Sequence, residues 1–490
     1  LVWALCNFHT ASMTTYYVTK GGSNSNDGLG PGDGNAWLTP AFAYTQMSAG
    51  DELKVGDGTY TDPLSSLPDG SAGAGDTKIN TISAAGGVIF TGAFGSSSSA
   101  QRKEYKGLRH HANAQRDFLG TRIKVKETEF KGGPSGGSSM SVVIGTSDST
   151  PGATFMLLED CWVHGYGGRY KILVYNAEDI IVRRCVTRFD GSDADVGEPM
   201  ANVTLYDSRR VEVQNHIAID PTTPAAEYVS NYYNVMNGTT STPNDNKHFR
   251  GCILIDPERI GYFGANEGVG SAATNCSWVD CASVGGTWGI SQLKGTSIIY
   301  RRLTLIDGSQ SGFGIFGGST DIDDCIIADF TGDAFNSGSG SNCVGYNNGD
   351  NAGTTVIAVY SNGLLYPARI ETGSTLASGG TFGQRGANIR NKIGVSGTLY
   401  GETDYNADTG ESLWPWPNEA RIKKEMCTDV SVTRGFGSAS SLTAYIMNQF
   451  GNGNPYASGG GGGGGLTALH ESAGFGGMEP QTNPLTVSRW

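Results

Sequence analysis

The sequence predicts an all-β protein built as a single right-handed parallel β-helix solenoid, with short capping helices at both ends. Three observations carry the prediction. The chain has 490 residues and 74 glycines, with charged residues at only 17%. That is about twice the usual glycine share, and it opposes the composition of helical bundles and coiled coils. From Thr154 to Asn348 a unit recurs: LLEDCWVHGYGG, IIVRRCVTRFDG, VEVQNHIAIDP, FRGCILIDP, SWVDCASVGG, IIYRRLTLIDG, DIDDCIIADF and SNCVGYNNG. With Cys161, Cys185, His216, Cys252, Cys281, Leu303, Cys325 and Cys343 as equivalent positions, the steps are 24, 31, 36, 29, 22, 22 and 18 residues. The recurring 22 sets the coil length, and the longer steps carry inserted loops. Each unit holds short β-branched runs bounded by Gly, Asp, Asn or Ser, which read as strands between turns. Strands stacked this way run parallel, and parallel crossovers are right-handed in nearly all cases.

Stacking coils ~4.8 Å apart places equivalent residues in ladders along the axis. Cys161, Cys185, Cys252, Cys281 and Cys325 form an inward ladder of small, soft side chains in which Leu303 substitutes. Asp190, Asp220, Asp256, Asp307 and Asp329 close the same strands. Aspartates there stop a strand and start a turn through side-chain to backbone hydrogen bonds. The competing reading is an acidic stripe for a cation or a sugar.

Solenoid ends must differ from the middle, because an open coil exposes strand edges and core. Residues 1–13 read as a leader or upstream extension: LVWALCNFHTAS is briefly apolar, lacks a basic n-region and precedes Met13. Residues 14–50 form an N-terminal cap with Tyr16-Tyr17-Val18, the loop GGSNSNDGLGPGDGNAW and a short helix within Pro40 to Ala49, and GDELKVGDGTYTD follows. The stretch from Tyr16 to Tyr60 resembles the opening segment of right-handed parallel β-helix proteins, among them pectate-lyase-like enzymes, glycan-binding proteins and virion spikes. The resemblance implies the fold and leaves the chemistry open.

Residues 51–400 are expected to form the β-helix, of roughly a dozen coils, and 401–456 a small helical module. In that module Pro417 and Asn418 start one helix with Glu419 in its first turn, and a Ser cap and Gly451 bound a second. The two are placed to plug the last coil. The stretch LWPWPNEARI...RGF...SLTAYI resembles a terminal module of uncharacterised bacterial and phage-type β-helix proteins. Residues 457–490 are a Gly-rich tail with seven consecutive glycines at 459–465, either a flexible linker or a tail ordered by partner subunits.

A formal net charge of −13 argues against a nucleic-acid partner, whose phosphates want a basic face. No run of 18 apolar residues occurs, so no membrane span is expected. Nine cysteines without CxxC pairs indicate neither a disulfide framework nor a zinc site. They read as buried free thiols, which suits folding in a reducing compartment.

A hydrolase on this fold needs paired carboxylates. The RIK motifs at Arg122 and Arg421 fall outside the coils that would need them, and Asp323 and Asp324 face opposite sides of a strand. A polysaccharide lyase needs a base for the C5 proton of a uronate and a cation to neutralise its carboxylate. One candidate gathers Lys171, Arg183, Arg184, Arg188, Arg209 and Arg210, with Lys171, Arg184 and Arg210 as catalytic residues. Asp190, Asp193, Asp195 and Glu198 of FDGSDADVGEP would hold Ca2+, although that loop departs from EF-hand spacing. Basic residues on such strands otherwise pair with outer-face aspartates.

The second candidate is the basic stretch QRKEYKGLRHHANAQRDFLGTRIKVK with His110-His111, which otherwise reads as an exposed loop. Among aromatics in or near insertions, including Tyr228, Tyr262 and Phe263, the residues Tyr232, Tyr233, Trp278 and Trp288 are expected to stack on sugars, with core packing as the alternative.

The first functional expectation is a non-catalytic displayed structural or adhesion protein of virion-spike, fibre or decoration type. Glycans are its candidate ligands, and it would associate with itself as a homo-oligomer or with a larger particle at a virion or extracellular surface. The second is a secreted polysaccharide lyase acting on an acidic glycan by β-elimination.

Overall fold

The structure, a computed structural model, describes residues 13–457 apart from 84–85, 137–138, 147–151, 192–199, 220–228, 236–244, 256–259, 265–272 and 429–434. Successive strands visit three sheets in turn. Ala153–Glu159 lies in sheet I, Trp162–His164 in sheet II and Tyr170–Tyr175 in sheet III, and Ala177–Arg183 returns to sheet I. The sheets hold twelve, thirteen and eight strands, and neighbouring strands within each are parallel. This is the right-handed parallel β-helix, of about a dozen coils, that the repeat predicts.

In nine successive coils one left-handed residue turns the chain from sheet I to sheet II: Glu127, Asp160, Arg184, Asn215, Gly251, Asp280, Arg302, Asp324 and Asn342 have φ between 48° and 64°. Asn, Asp and Gly tolerate this region, and arginine does so at a cost. Both arginines recover it by gripping the left-handed aspartate one coil earlier. Arg184 Nε donates to Asp160 at 2.8 Å, and Arg302 Nε to Asp280 at 2.8 Å.

Immediately after each turn comes the cysteine ladder. Cys161, Cys185, Cys252, Cys281 and Cys325 are fully buried free thiols, joined in the same core by Leu303 and Cys343. Their Sγ atoms donate to main-chain carbonyls of the preceding coil: Cys161 to Val125 at 3.4 Å, Cys185 to Leu158 at 3.4 Å and Cys252 to Val213 at 3.4 Å. Sheet I supplies the facing wall in register, Leu158, Val182, Val213, Phe249, Trp278, Tyr300 and Ile322. Trp278 is therefore an interior residue, stacked between Phe249 at 4.9 Å and Tyr300 at 5.2 Å. Its expected role as a sugar platform is corrected: the strand alternation turns its ring inward.

At the N-terminal end, helix α1 (Pro40–Gln46) starts with Pro at N1 and a Thr39 cap that accepts from the Phe42 amide, and it buries Ala43 and Tyr44. Those residues pack with Val18, Leu53 and Val55 of the first coils. The last parallel strand is Thr355–Val356, so the coil ends ahead of the boundary expected at residue 400. The chain then retraces the solenoid along the line of left-handed turns. The amides of Thr381 and Phe382 donate to Asp324, that of Ala387 to Thr304, that of Asn388 to Asp280 and that of Ile393 to Asn215. Further back, Ser396 and Gly397 donate to Glu159, and Glu402 accepts from Arg122.

This strap leads into helices α2 (Glu419–Met426), entered through a left-handed Asn418, and α3 (Leu442–Met447), capped by the Ser441 side chain, which accepts from the Ala444 amide. With Leu413, Trp414 and Trp416, both bury apolar residues against the outward face of sheet II at Trp162, Val186, Ile217, Ile219, Ile253 and Ile255. Their contact is thus with the wall of the coil, because that wall carries the apolar columns they need.

Candidate functional site

Two outward-facing columns of sheet II explain where a site forms. The first runs Arg109, Glu129, Trp162, Val186, Ile217, Ile253 and Ala282. The second runs His111, Lys131 and His164, then Arg188, Ile219 and Ile255. Both are polar in the early coils and apolar in the later ones. The C-terminal segment covers the apolar part and stops at the change. Beyond it lies a groove of about 810 Å3 lined by His111, Asn113, Lys131, Ser135, His164, Tyr166, Arg188 and Asp190.

Glu129 is the buried hub of the floor. Its carboxylate accepts from Arg109 Nε at 2.5 Å and pairs with His111 Nε2 at 2.7 Å and His164 Nε2 at 2.9 Å. Burial alone would raise its pKa, but the hydrogen bonds from His111, His164 and Arg109 hold it well below the usual carboxylate range. An ionised carboxylate only accepts, so both imidazoles donate to it through Nε2. Burial pushes His164 below its ordinary value, against the pull of Glu129. His111, less buried, presents its ring to the groove.

Behind His110 lies buried Arg116, whose Nε donates to His110 Nδ1 at 3.0 Å and whose Nη2 donates to the carbonyls of Ala112 and Lys131 at 2.8 Å. Burial, with help from Arg116, lowers His110 to about 3. Arg188 forks onto Asp190 at 2.5 and 2.8 Å and donates through Nη1 to the Met426 carbonyl at 2.6 Å. Asp190 also accepts from the Gly165 amide at 2.6 Å. Burial raises and Arg188 lowers Asp190, and the net shift is downward. The wall beside α2 is closed by Glu425, which accepts from Trp162 Nε1 at 3.0 Å and lies 3.8 Å from Arg109.

Only one of the three basic residues expected to be catalytic adjoins this groove. Lys171 is wholly buried beneath Gly165–Gly168, where burial, opposed by Asp190, lowers it to about 8. Arg184 is committed to Asp160, and Arg210 on sheet I to Asp179 at 2.5 Å and Glu178 at 2.9 Å. Of the expected Ca2+ set, Asp190 is held by Arg188, and Asp193, Asp195 and Glu198 lie outside the described residues. Among the described residues no group of three or more His, Cys, Asp or Glu is placed to hold a metal.

Asp307 and Asp329 sit at strand ends with φ of 63° and 60°, and Asp329 accepts from the side chains of Asn347 at 2.7 Å and Tyr360, rather than from the backbone of its own turn. Asp220 and Asp256 lie outside the described residues. The His110-His111 pair is corrected from an exposed loop to the strand Arg109–His111, with His110 inside the coil. Tyr232 and Tyr233 lie on the strand Val229–Val235, and Tyr262 and Phe263 on Ile260–Gly264; their side chains, with Tyr228, fall outside the described residues. Trp288 is half-buried on sheet III, 5.5 Å from Phe316 and away from the groove. Glu129, His164 and Tyr166 were not anticipated as site residues.

Fold and groove together define a right-handed parallel β-helix protein with a lateral, polar-floored groove. No family model and no curated protein matches the sequence. Among solved structures it is similar to the catalytic domain of a GH87 alpha-1,3-glucanase in complex with nigerose, at 10% identity and TM-score 0.41, covering 63% of this chain and 64% of that one. It is also similar to pectate lyase Pel9A (13%, TM-score 0.39, 76% and 93% covered) and to PfbA, a surface adhesin of Streptococcus pneumoniae (10%, TM-score 0.38, 64% and 86% covered). The chain thus spans just under two thirds of the GH87 domain. Likeness at this level carries no argument about activity, and the fold rests on the strand pairing itself. Among the described residues no helix is long and apolar enough to cross a membrane.

Proposed function

We propose that the chain is a displayed β-helix protein whose lateral groove binds an acidic glycan. The observation that carries the reading is charge placement. Lys131 and Arg188 line the groove with Asp190 as the one carboxylate among its lining residues, and Arg109 and Arg421 flank its floor on Glu129 and Glu425, on a chain whose net charge is −13. A local positive field in an acidic protein favours anionic ligands even where each guanidinium already has a partner. Tyr166, 53% exposed at the rim, adds a flat apolar face for a sugar ring. Display and self-association are supported by the solenoid shape and the glycine-rich terminal sequence.

Titration calorimetry with oligogalacturonate, alginate oligomers and neutral dextran tests the groove. Acidic oligomers should bind with an affinity that falls as salt rises, and Lys131→Glu should weaken them at least tenfold. Equal binding of dextran, or an unchanged Lys131→Glu variant, refutes it. One observation favours a second reading, β-elimination on such a glycan: His111 lines the groove and is held through Nε2 by a buried carboxylate, the pairing that orients a general base. Ultraviolet absorbance from an unsaturated uronate during the same incubations distinguishes turnover from binding.

A further inference from the structure

The loop Gly165-Tyr166-Gly167-Gly168 carries the exposed aromatic of the groove on a backbone with unusual constraints. All three glycines are left-handed, with φ of 90°, 92° and 74°. A Cβ at Gly167 would lie 2.4 Å from the Gly133 carbonyl oxygen, and one at Gly168 would lie 2.2 Å from Ser141 Oγ. Such a glycine-rich loop has much conformational freedom to lose. Main-chain bonds from Gly133 to the Tyr166 carbonyl at 3.0 Å and from Gly168 to the Pro134 carbonyl at 3.1 Å hold it, Ser141 Oγ donates to the Gly167 carbonyl at 3.3 Å, and one side chain below it reaches the carbonyls on both sides of Tyr166. Lys171, on the strand Tyr170–Tyr175, sends Nζ up to the Gly165 carbonyl at 2.8 Å and the Gly167 carbonyl at 2.7 Å, the two peptide oxygens that bracket Tyr166. The Gly165 amide is tied to Asp190 and the Gly167 amide to the Gly191 carbonyl at 3.1 Å.

We propose that Lys171 is a positioning residue for Tyr166: by clamping the carbonyls on either side, it presents the phenol ring pre-ordered to a sugar face in the groove. The inference rests on the reading of the groove as a glycan site. Lys171 itself touches no ligand, being buried under the loop. A preformed platform spares the ligand the cost of ordering four residues, so the lysine acts on affinity through another side chain.

A double-mutant cycle reads this directly. With an oligogalacturonate as the probe, Tyr166→Ala should weaken binding by about five- to tenfold, the worth of one aromatic contact. Lys171→Met should weaken it by a similar factor, the Tyr166→Ala/Lys171→Met double variant no more than Tyr166→Ala alone, and Lys171→Arg should retain most of the affinity. Additive losses in the double variant overturn the proposal, since Lys171 would then act independently of Tyr166.

Hydrogen exchange by mass spectrometry gives an arm that needs no ligand. In Lys171→Met the amides of Gly167 and Gly168 should exchange faster while strands Trp162–His164 and Tyr170–Tyr175 keep their protection; an unchanged loop overturns the proposal. If wild type fails to bind the probe, the glycan reading falls and this exchange result alone decides the clamp. Should Lys171→Met fail to fold, Gly167→Ala, which displaces the clamped carbonyl with Lys171 intact, should match Tyr166→Ala in the same cycle. Full affinity in Gly167→Ala would count against the clamp.

Discussion

Asn215 is the residue on which the returning C-terminal strap can be tested most cleanly. It occupies the left-handed turn of its coil with φ 48°, its Oδ1 accepts from the buried Ile393 amide at 2.7 Å, and its Nδ2 reaches the Asn391 carbonyl at 3.4 Å. Gly251, left-handed one coil later, leaves room for it, since a Cβ there would lie 2.6 Å from Asn215 Nδ2. Asn215→Ala leaves the Ile393 amide buried without its partner, a cost of about 1–3 kcal/mol. It also places alanine in the left-handed region, costing about 1 kcal/mol more. The sum is about 2–4 kcal/mol, localised to the strap. Asn215→Gly keeps the turn and should lose only the first part, and Asn215→Asp keeps the acceptor and should lose less than about 1 kcal/mol. Because solenoids open locally, the assay is native-state hydrogen exchange at Ile393 and its neighbours alongside urea unfolding. An alanine variant within 0.5 kcal/mol of wild type, or an aspartate variant as unstable as the alanine one, would refute the turn-anchored strap.

Four further outcomes are expected. Cys185→Ala, which removes a fully buried thiol, should cost about 1–2 kcal/mol, whereas Cys185→Arg should abolish folding; equal thermal stability of the two would sink the ladder. Trp278→Ala should cost about 3–5 kcal/mol, and the milder Trp278→Phe should bind oligogalacturonate like wild type, because the indole lies in the core stack. His110 and His216, both lowered by burial to about 3, and Glu129, also lowered, release stability in the same direction. The histidine contribution is present above their unfolded value near 6.5 and is lost as pH falls toward 3, and that of Glu129 fades below about 4.3, so unfolding curves taken from pH 7 to pH 3 should show a continuous decline. Glu212 has the opposite sign: burial, opposed by Arg250 and the Gln214 hydrogen bond, raises it to about 7 beneath the strap, so its contribution is present at low pH and lost as pH rises through 7. Glu212→Gln should therefore stabilise the protein at pH 8 by up to about 3 kcal/mol and do little at about pH 4, below the unfolded carboxylate value.

The parallel β-helix was legible because its address is periodic. The ladder position that holds cysteine recurs in the residues themselves, and the strand following it reads Trp-Val-His, Val-Thr-Arg, Ile-Ala-Ile and Ile-Leu-Ile in successive coils. The groove was present in the same register and was passed over. In the two coils before Cys161 the ladder position is taken by Leu108 and Thr128, so the repeat seemed to begin later, and Arg109, His111, Glu129 and Lys131 received no column. Extended by those coils, the positions one and three beyond the ladder switch from charged to apolar, which is the signal for an uncovered face. The basic residues chosen instead, Arg184 and Arg210, could not be told from catalytic ones in sequence, because the aspartates they grip lie one coil away at Asp160 and Asp179. Trp278 was misjudged although the ladder carries its face: it lies three residues before Cys281, as Leu158, Val182, Phe249, Tyr300 and Ile322 lie three before the ladder residues of their own coils. The strap was invisible because its recognition is by backbone amides, which have no sequence signature.

The groove and the strap are two consequences of one change along sheet II. Had the outward columns stayed apolar back to Arg109, α2 and its neighbours would find the same surface there and the floor would be covered. Had they stayed polar through Ile217 and Ile253, the C-terminal segment would have nothing to pack on. Trp162 stands at the change, and its chemistry suits both sides: the ring packs in the apolar cluster with Arg421 4.8 Å above it, while Nε1 donates to Glu425 at 3.0 Å. One coil on, Arg188 joins floor to wall outright, holding Asp190 of the groove with one edge of its guanidinium and the last turn of α2 with the other. A ligand that draws on Asp190 or Arg188 therefore acts on the end of the strap through a single planar group, so occupancy of the groove should be felt first as added protection of the Met426 turn.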